Sequence, residues 1–205
     1  LCGRSGRAAS EVCSALCVGS VRCVYGPVPD SGGDGLDRGG NGLRVADRFL
    51  CDGDVGIHDD RWLTYPWGVL GGETGLRSTK KLVRSDGSEQ WLPSKVEGVK
   101  VKTGDVLYFN TWGGGGWGDP FARDPELVRQ DVNRRLVTVE GAKRYGVVLA
   151  SDGTVDQSAT VSLRTKLKAA AGEPDLFNFG GDLEDIRDRC EAETHLPAPV
   201  KPTFS

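Results

Sequence analysis

"NTWGGGGWGDP", residues Asn110–Pro120, sets four consecutive glycines between two tryptophans, directly after a run that reads as a β-strand. Each glycine in an ordered segment costs about 0.5–1 kcal/mol relative to alanine, because its backbone has more freedom to lose. Four of them imply about 2–4 kcal/mol if the loop is fixed. Such a loop is either a slack linker or a place where the backbone must go where no Cβ can follow. "GDVLYFNTW" upstream is strand-like and "DPFARDPE" downstream opens a helix, so the quartet is a strand-to-helix connection. There it either presents N–H groups to an anion or a substrate, or packs tightly beneath Trp112 and Trp117. It lacks the lysine and hydroxyl residue that follow the glycines of a P-loop, and it is not G-x-G-x-x-G. A nucleotide site has no support in it.

Glycine divides the rest of the chain. Of the 30 glycines, 21 lie between Gly26 and Gly118 and six follow Pro120; all five tryptophans share the glycine-rich part. Short apolar runs between turn residues predict strands at "GLRVADRFL", "DVGIHDDRWL", "KKLVRSD", "EQWLP", "EGVKVK" and "DVLYFNTW". Asp86-Gly87 marks a hairpin turn and Lys102–Asp105 a second tight turn. After Pro120 the apolar period becomes helical. Asp124 caps a helix with Pro125 at its first position, and Val128, Val132 and Leu136 line one face. A short helix over Glu140–Tyr145 stops at Gly146, and "GVVLA" reads as a buried strand. Asp156 caps a third helix with the stripe Ala159, Leu163, Leu167 and Ala170, stopped by Gly172. Asp182 caps the last, Leu183 to about Glu193, with Leu183, Ile186 and Cys190 inward, before a proline-rich tail. The fold class is α+β: a glycine-rich β region over residues 26–120, then a helical region over 121–205 that closes in that tail.

At 205 residues the chain can bury a real core. Its 26 basic and 29 acidic side chains show no basic face, which argues against a nucleic-acid partner. No apolar run approaches the ~18 residues of a membrane span, so no membrane partner is expected. Cys2, Cys13, Cys17 and Cys23 crowd one end while Cys51 and Cys190 stand alone. Without a secretory signal they read as reduced thiols of a cytoplasmic protein, and their spacing is poor for zinc. Residues 1–25 form an atypical segment, rich in Arg, Gly, Ala, Ser and Cys and without a hydrophobic period; that composition suggests a non-native stretch before about Val24. The chain starts at Leu1 and has no methionine, and is expected to be a fragment or processed product.

Three places carry candidate chemistry. In "GIHDDRW", strand alternation puts His58 and Asp60 on one face and Asp59 and Arg61 on the other. His58 with Asp60 either shares a divalent metal or orients a base; alternatively Asp60 and Arg61 form an ion pair that fixes the adjoining "YPWGVLGG" loop. In "PDSGGDGLDRGGNG", Arg38 beside Gly39 and Gly40 either clamps a carboxylate or phosphate or holds the turn through loop carbonyls. The third is the quartet Gly113, Gly114, Gly115 and Gly116. His195 lies near the tail and reads as solvated.

These stretches, together with "LPSKVEGVKVKTGDVLYFNTWGGGGWGDP" and "DPELVRQDVNRRLVTVEGAKRYGVVL", occur in an order that resembles the C-terminal region of the hydantoinase B family, from about Val28 to Pro202. The resemblance implies a B-type subunit of an ATP-dependent hydrolase of cyclic amides (hydantoins, 5-oxoproline or lactams), or the related subunit of a ketone carboxylase. It implies an A-type partner that binds ATP and phosphorylates the cyclic amide, and a divalent metal in several members. B-type chains are much longer than this one, so the resemblance implies that catalytic residues lie outside it and that it is inactive alone. A non-catalytic assembly module for the A-type chain is the third reading. On these grounds His58, Asp60 and Arg61 are the catalytic candidates. Arg38, Gly39, Gly40 and the quartet are the substrate-binding ones, with backbone donors for developing negative charge.

Overall fold

A computed structural model of the chain describes residues 19–200. Its strands, in chain order, are β1 (Ser20–Pro27), β2 (Leu43–Phe49), β3 (Gly53–His58), β4 (Gly68–Val69), β5 (Thr79–Val83), β6 (Glu89–Trp91), β7 (Lys95–Val101), β8 (Val106–Asn110) and β9 (Phe177–Asn178). Five of them make one antiparallel sheet in the order β1-β2-β8-β5-β6, while β3 pairs with β7 and β4 with β9. The expected strands are therefore present, most of them shorter than their apolar runs, while β7 starts two residues earlier than expected. β1 is an addition: it starts inside the segment taken as atypical and pairs with β2 from Ser20↔Phe49 to Pro27↔Leu43, bulging between Arg22 and Val24. Cys2, Cys13 and Cys17 lie outside the described residues; Cys23 and Cys51 are exposed free thiols and Cys190 is a buried one.

Alternation along these strands buries one face. Leu82 and Leu107 from the large sheet meet Ile57, Val99 and Val101 from the β3–β7 ribbon, and Leu92 closes the cluster. At about 25 cal/mol per Å² of apolar surface, this contact holds the ribbon on the sheet. Both turns beside it are organised by one carboxylate. Asp105, 1% exposed, accepts hydrogen bonds from the Lys102 N–H at 3.0 Å, the Ser85 N–H at 2.9 Å and Arg84 Nη1 at 3.1 Å. It thus ties the turn before β8, where Gly104 has φ +92°, to the β5–β6 hairpin, where Gly87 has φ +86°. Burial opposes its charge, but the Lys102, Ser85 and Arg84 donors outweigh that and hold its carboxyl below the ordinary range.

The helical region has α1 (Pro125–Asn133), α2 (Val139–Ala142), α3 (Gln157–Ala170) and α4 (Leu183–Thr194). Asp124, Thr138, Asp156 and Asp182 each accept a backbone N–H as caps. Three of those caps, and the left-handed stop at Gly146 (φ 66°), are where the sequence puts them. Four details differ. Ala170, expected on the inward stripe of α3, is exposed because it is the last residue of that helix. α1 ends before Leu136, because Arg135 turns left-handed at φ 59°. "GVVLA" forms no strand, only a bridge between Leu149 and Val155; Val147 instead joins Val128, Val137, Ala142 and Tyr145 in a second core. Leu183 is exposed while Ile186 and Cys190 are buried, since Leu183 is the first helical residue and lies off the inward stripe.

The two regions meet where three glycine loops press together: residues 31–42, 67–75 and 113–118. A Cβ built on Gly113 would overlap the carbonyl of Ser31, one on Gly115 that of Trp67, and one on Gly116 that of Asp34. From the facing loops, Gly33 and Gly72 abut Gly116, and Gly39 and Gly75 abut Gly114. Trp112 and Trp117 are 42% and 45% exposed, and the atoms nearest an added Cβ on Gly113, Gly115 or Gly116 are backbone atoms and not tryptophan rings.

Two substitutions test this architecture by urea unfolding. Gly113→Ala and Gly115→Ala each lower stability by about 2–4 kcal/mol, because backbone on three loops must move; Gly172→Ala, with nothing within 4 Å of its added Cβ, changes it by under about 0.5 kcal/mol. For Asp105 the folded carboxyl is depressed, so its contribution is full above the ordinary value of 3.8 and is lost as pH falls through the folded value. Asp105→Asn should therefore flatten the loss of stability below about pH 4, and Asp105→Ala should cost about 1.5–3 kcal/mol at neutral pH.

Candidate functional site

Peptide groups in the glycine knot bond mainly to one another. Within the quartet, the Gly113 N–H donates to Leu76 at 3.1 Å, that of Gly114 to Gly40 at 2.8 Å and that of Gly116 to Glu73 at 2.8 Å. The Gly33 N–H donates back to the Gly114 carbonyl at 2.8 Å, the Val69 N–H donates to the Gly116 carbonyl at 3.0 Å, and the Gly118 N–H donates to the Val69 carbonyl at 2.9 Å. Three of the four donors proposed for an anion are thus spent on carbonyls. Among the described residues only the Gly115 N–H of the quartet lacks a partner.

Beside this knot opens a cavity of about 800 Å³. Its floor is the turn at Asp30–Asp34 and the loop Gly71–Leu76; its walls are Asp119–Phe121, the side chain of Arg144 and the end of α3 with the turn Ala171–Asp175. Asp34, buried, accepts from Arg144 Nε at 2.6 Å and Nη2 at 3.2 Å, a bidentate pair that fixes the guanidinium at the rim. Arg144 also reaches Asp30 at 3.5 Å, and its Nη1 has no partner among the described residues, so it can donate to a carbonyl or carboxylate in the cavity. Burial works against the Arg144 charge, and the Asp34 and Asp30 carboxylates more than offset it. Lys168 faces Asp119 at 3.7 Å, and Glu73 accepts from Asn178 at 2.9 Å. Asp30, Asp34, Glu73, Asp119, Glu173 and Asp175 outnumber Arg144 and Lys168 in the lining, which disfavours a polyanion such as a nucleoside triphosphate. Tyr145, fully buried behind Arg144, is no proton donor near neutrality: burial, with Asp34 beside it, pushes its phenol far above the ordinary value.

The residues singled out from sequence do not converge on this cavity. β3 ends at His58, and Arg61 is left-handed at φ 55°, so alternation fails where the motif needs it. His58 is 69% exposed and pairs with Glu97 across β7, while Asp60 faces solvent. Among the described residues no third His, Cys, Asp or Glu side chain joins His58 and Asp60 to complete a metal site. Arg61 makes no ion pair with Asp60; its guanidinium lies over the Trp67 ring at 4.6 Å, which does hold the adjoining loop. Arg38 holds its turn, donating to the Gly39 carbonyl at 2.7 Å and to Asn41, and lies 3.4 Å from the buried Asp131. Gly39 presses on Gly114, and Gly40 gives its carbonyl to the Gly114 N–H. His195 is exposed as the C-cap of α4.

Two buried groups escaped the sequence reading. Asp59, not Asp60, is the buried acid of "HDDR": it takes Ser78 Oγ and Lys80 Nζ as partners, tying the end of β3 to β5. Lys80 sits on the same strand face as Leu82, and burial pulls its ammonium down to about 8. Period-2 alternation in "TKKLV" was the available signal, since it puts one lysine on the core side. Arg77 bonds to the Trp62 carbonyl and to Glu193, pinning α4 to the residues after β3. No local pattern announces that pair, whose members stand 116 positions apart.

With that geometry in hand, comparison with known proteins is informative. An uncharacterized protein of Methanocaldococcus jannaschii is 36% identical over 139 residues, 66% of this chain and 24% of its own length. The caprolactamase subunit beta of Pseudomonas jessenii is 34% identical over 143 residues, again 66% of this chain and 24% of its own length. The crystal structure of the ATP-dependent caprolactamase from Pseudomonas jessenii superposes on 76% of this chain with a TM-score of 0.61 at 26% identity, using 28% of that chain. This chain thus spans about a quarter of the length of the curated relatives it matches. No described helix is long and apolar enough to cross a membrane. The family profile of hydantoinase B/oxoprolinase matches residues 23–120, which contain all three glycine loops and nearly all of the sheet that carries them: over that span the chain belongs to the hydantoinase B family.

Proposed function

We propose that this chain is a portion of the B-type subunit of an ATP-dependent hydrolase of cyclic amides, and that it acts with an A-type subunit that binds the ATP. The observation that carries the reading is the family match, which falls on the knot-forming residues 23–120. An amide ring resists water because its resonance must be broken. Phosphorylating the carbonyl oxygen activates its carbon for attack by water; the ring C–N bond of the adduct then breaks as a proton goes to the nitrogen, and a second water hydrolyses the acyl phosphate to carboxylate and phosphate. The acidic lining of the cavity disfavours a nucleotide there, which supports a reading in which the partner binds the ATP. In this reading the chain's own contribution is rigidity and orientation: the knot fixes the cavity floor, and Arg144, clamped by Asp34, presents one N–H to a ring carbonyl or a carboxylate product. In this reading His58 and Asp60 would need further groups to move a proton or hold a metal, because among the described residues no three His, Cys, Asp or Glu side chains come together.

The test grafts residues 23–200 into the caprolactamase subunit beta of Pseudomonas jessenii in place of its matched segment, with the A-type partner supplied. The expected result is ATP-dependent lactam opening, reduced at least tenfold by Arg144→Ala with assembly intact. An assembled complex that opens no lactam, or one that carboxylates a ketone when bicarbonate is added, overturns the reading.

A further inference from the structure

Short strands β4 and β9 carry a row of aromatic rings on the outside of the glycine knot. Trp67, just before β4, lies 6.3 Å from Phe179, and Phe179 stacks on Phe177 at 6.1 Å with an interplanar angle of 28°. The three rings are 43%, 55% and 49% exposed, and Leu70 and Leu176, joined by a backbone bond of 3.0 Å, are exposed beside them. Arg61 closes one end of the row through its stack on Trp67. Monomeric proteins seldom leave so many large apolar groups contiguous at the surface, and those that do use them for contact.

The row is also held still. The Trp67 carbonyl is pressed against Gly115 in the knot. Beyond Phe179, Gly180 turns left-handed at φ +86° and lies against Tyr65, which is flanked by Arg77 at 5.4 Å and Arg189 at 5.2 Å. Arg189 also bonds to the Gly180 carbonyl. Rings fixed this way cannot fold back onto the chain to hide, and their ordering cost is met before any partner arrives.

We infer that this row is the seat of the remainder of the B-type polypeptide, the part of the family fold that this chain does not contain. The commitment to that occupant comes from length. This chain covers only 24% of its relatives and 28% of the solved caprolactamase chain, so most of a B-type fold lies outside it and must pack on some face of it. The aromatic row adjoins the knot within the family-matched segment, and it pairs that segment with the helical region through β4 and β9. The inference rests on membership in the family and not on the cyclic-amide reading, so a complex that assembles without turnover would defeat that reading and leave this one standing.

The experiment co-expresses the chain, tagged, with the caprolactamase subunit beta lacking its matched segment. It measures recovery of that partner in the soluble fraction and the mass of the purified complex by light scattering. The expected result is a one-to-one complex. Trp67→Ser and Phe179→Ser, each folded by circular dichroism, weaken it at least tenfold, whereas Val161→Ser on the exposed face of α3 leaves it unchanged. A partner that stays insoluble with the wild-type chain overturns the inference, as does a complex indifferent to both ring substitutions. A chain that dimerises through the row and captures no partner assigns the face to a second copy and overturns it equally.

Discussion

Peptide planes of three loops lie directly on one another, and everything else in this chain is arranged around that contact. Where Gly113, Gly115 and Gly116 meet Ser31, Trp67 and Asp34, the space a Cβ would need is filled by carbonyl groups. The entropy cost of fixing so many glycines is offset by hydrogen bonds made in a shielded place, where unmade ones would be expensive. The knot also joins the β region to the helical one: the Asp30 N–H reaches the Leu136 carbonyl, and Arg144 reaches Asp34. The cavity and the aromatic row are opposite consequences of the same rigid backbone.

Charge is used here mostly to anchor. Asp105 gathers two turns, Asp59 holds Lys80 and Ser78 beneath the sheet, Arg77 fixes α4, and Asp131 receives Arg123 at 2.9 Å with Arg38 close by. Such buried pairs rarely add much net stability over apolar contacts, but removing one partner is costly, so they fix geometry more than they add energy. Arg144 anchors through Asp34 and still has its Nη1 without a partner among the described residues.

Much of the fold was legible. Strand runs, the Asp86-Gly87 and Lys102–Asp105 turns, and the caps Asp124, Asp156 and Asp182 followed from local chemistry, because each is decided by residues within a few positions of one another. β1 was missed because its sequence has an unhelpful composition and is held by its pairing with β2. "GVVLA" was misread because a short apolar run looks the same whether it pairs as a strand or fills a helical core. The candidate site was legible only in outline. Glycine density marked the three loops, and Arg38 was offered both as a ligand clamp and as a brace for its turn, of which its contacts show the brace, but His58, Asp60 and Arg61 were grouped by an alternation that Arg61's left-handed backbone breaks.

The sequence by itself determined most of the strands, turns and helices, and that some backbone had to run where side chains cannot, since those are matters of local propensity and spacing. Only the tertiary structure decided what fills that space. Ser31, Trp67 and Gly115 are far apart along the chain, and no local rule says which peptide plane will lie against which. The same holds for Asp34 with Arg144 and for Asp59 with Lys80: a charge can be read from sequence, but its partner is chosen by whichever loop the packed sheet brings within reach.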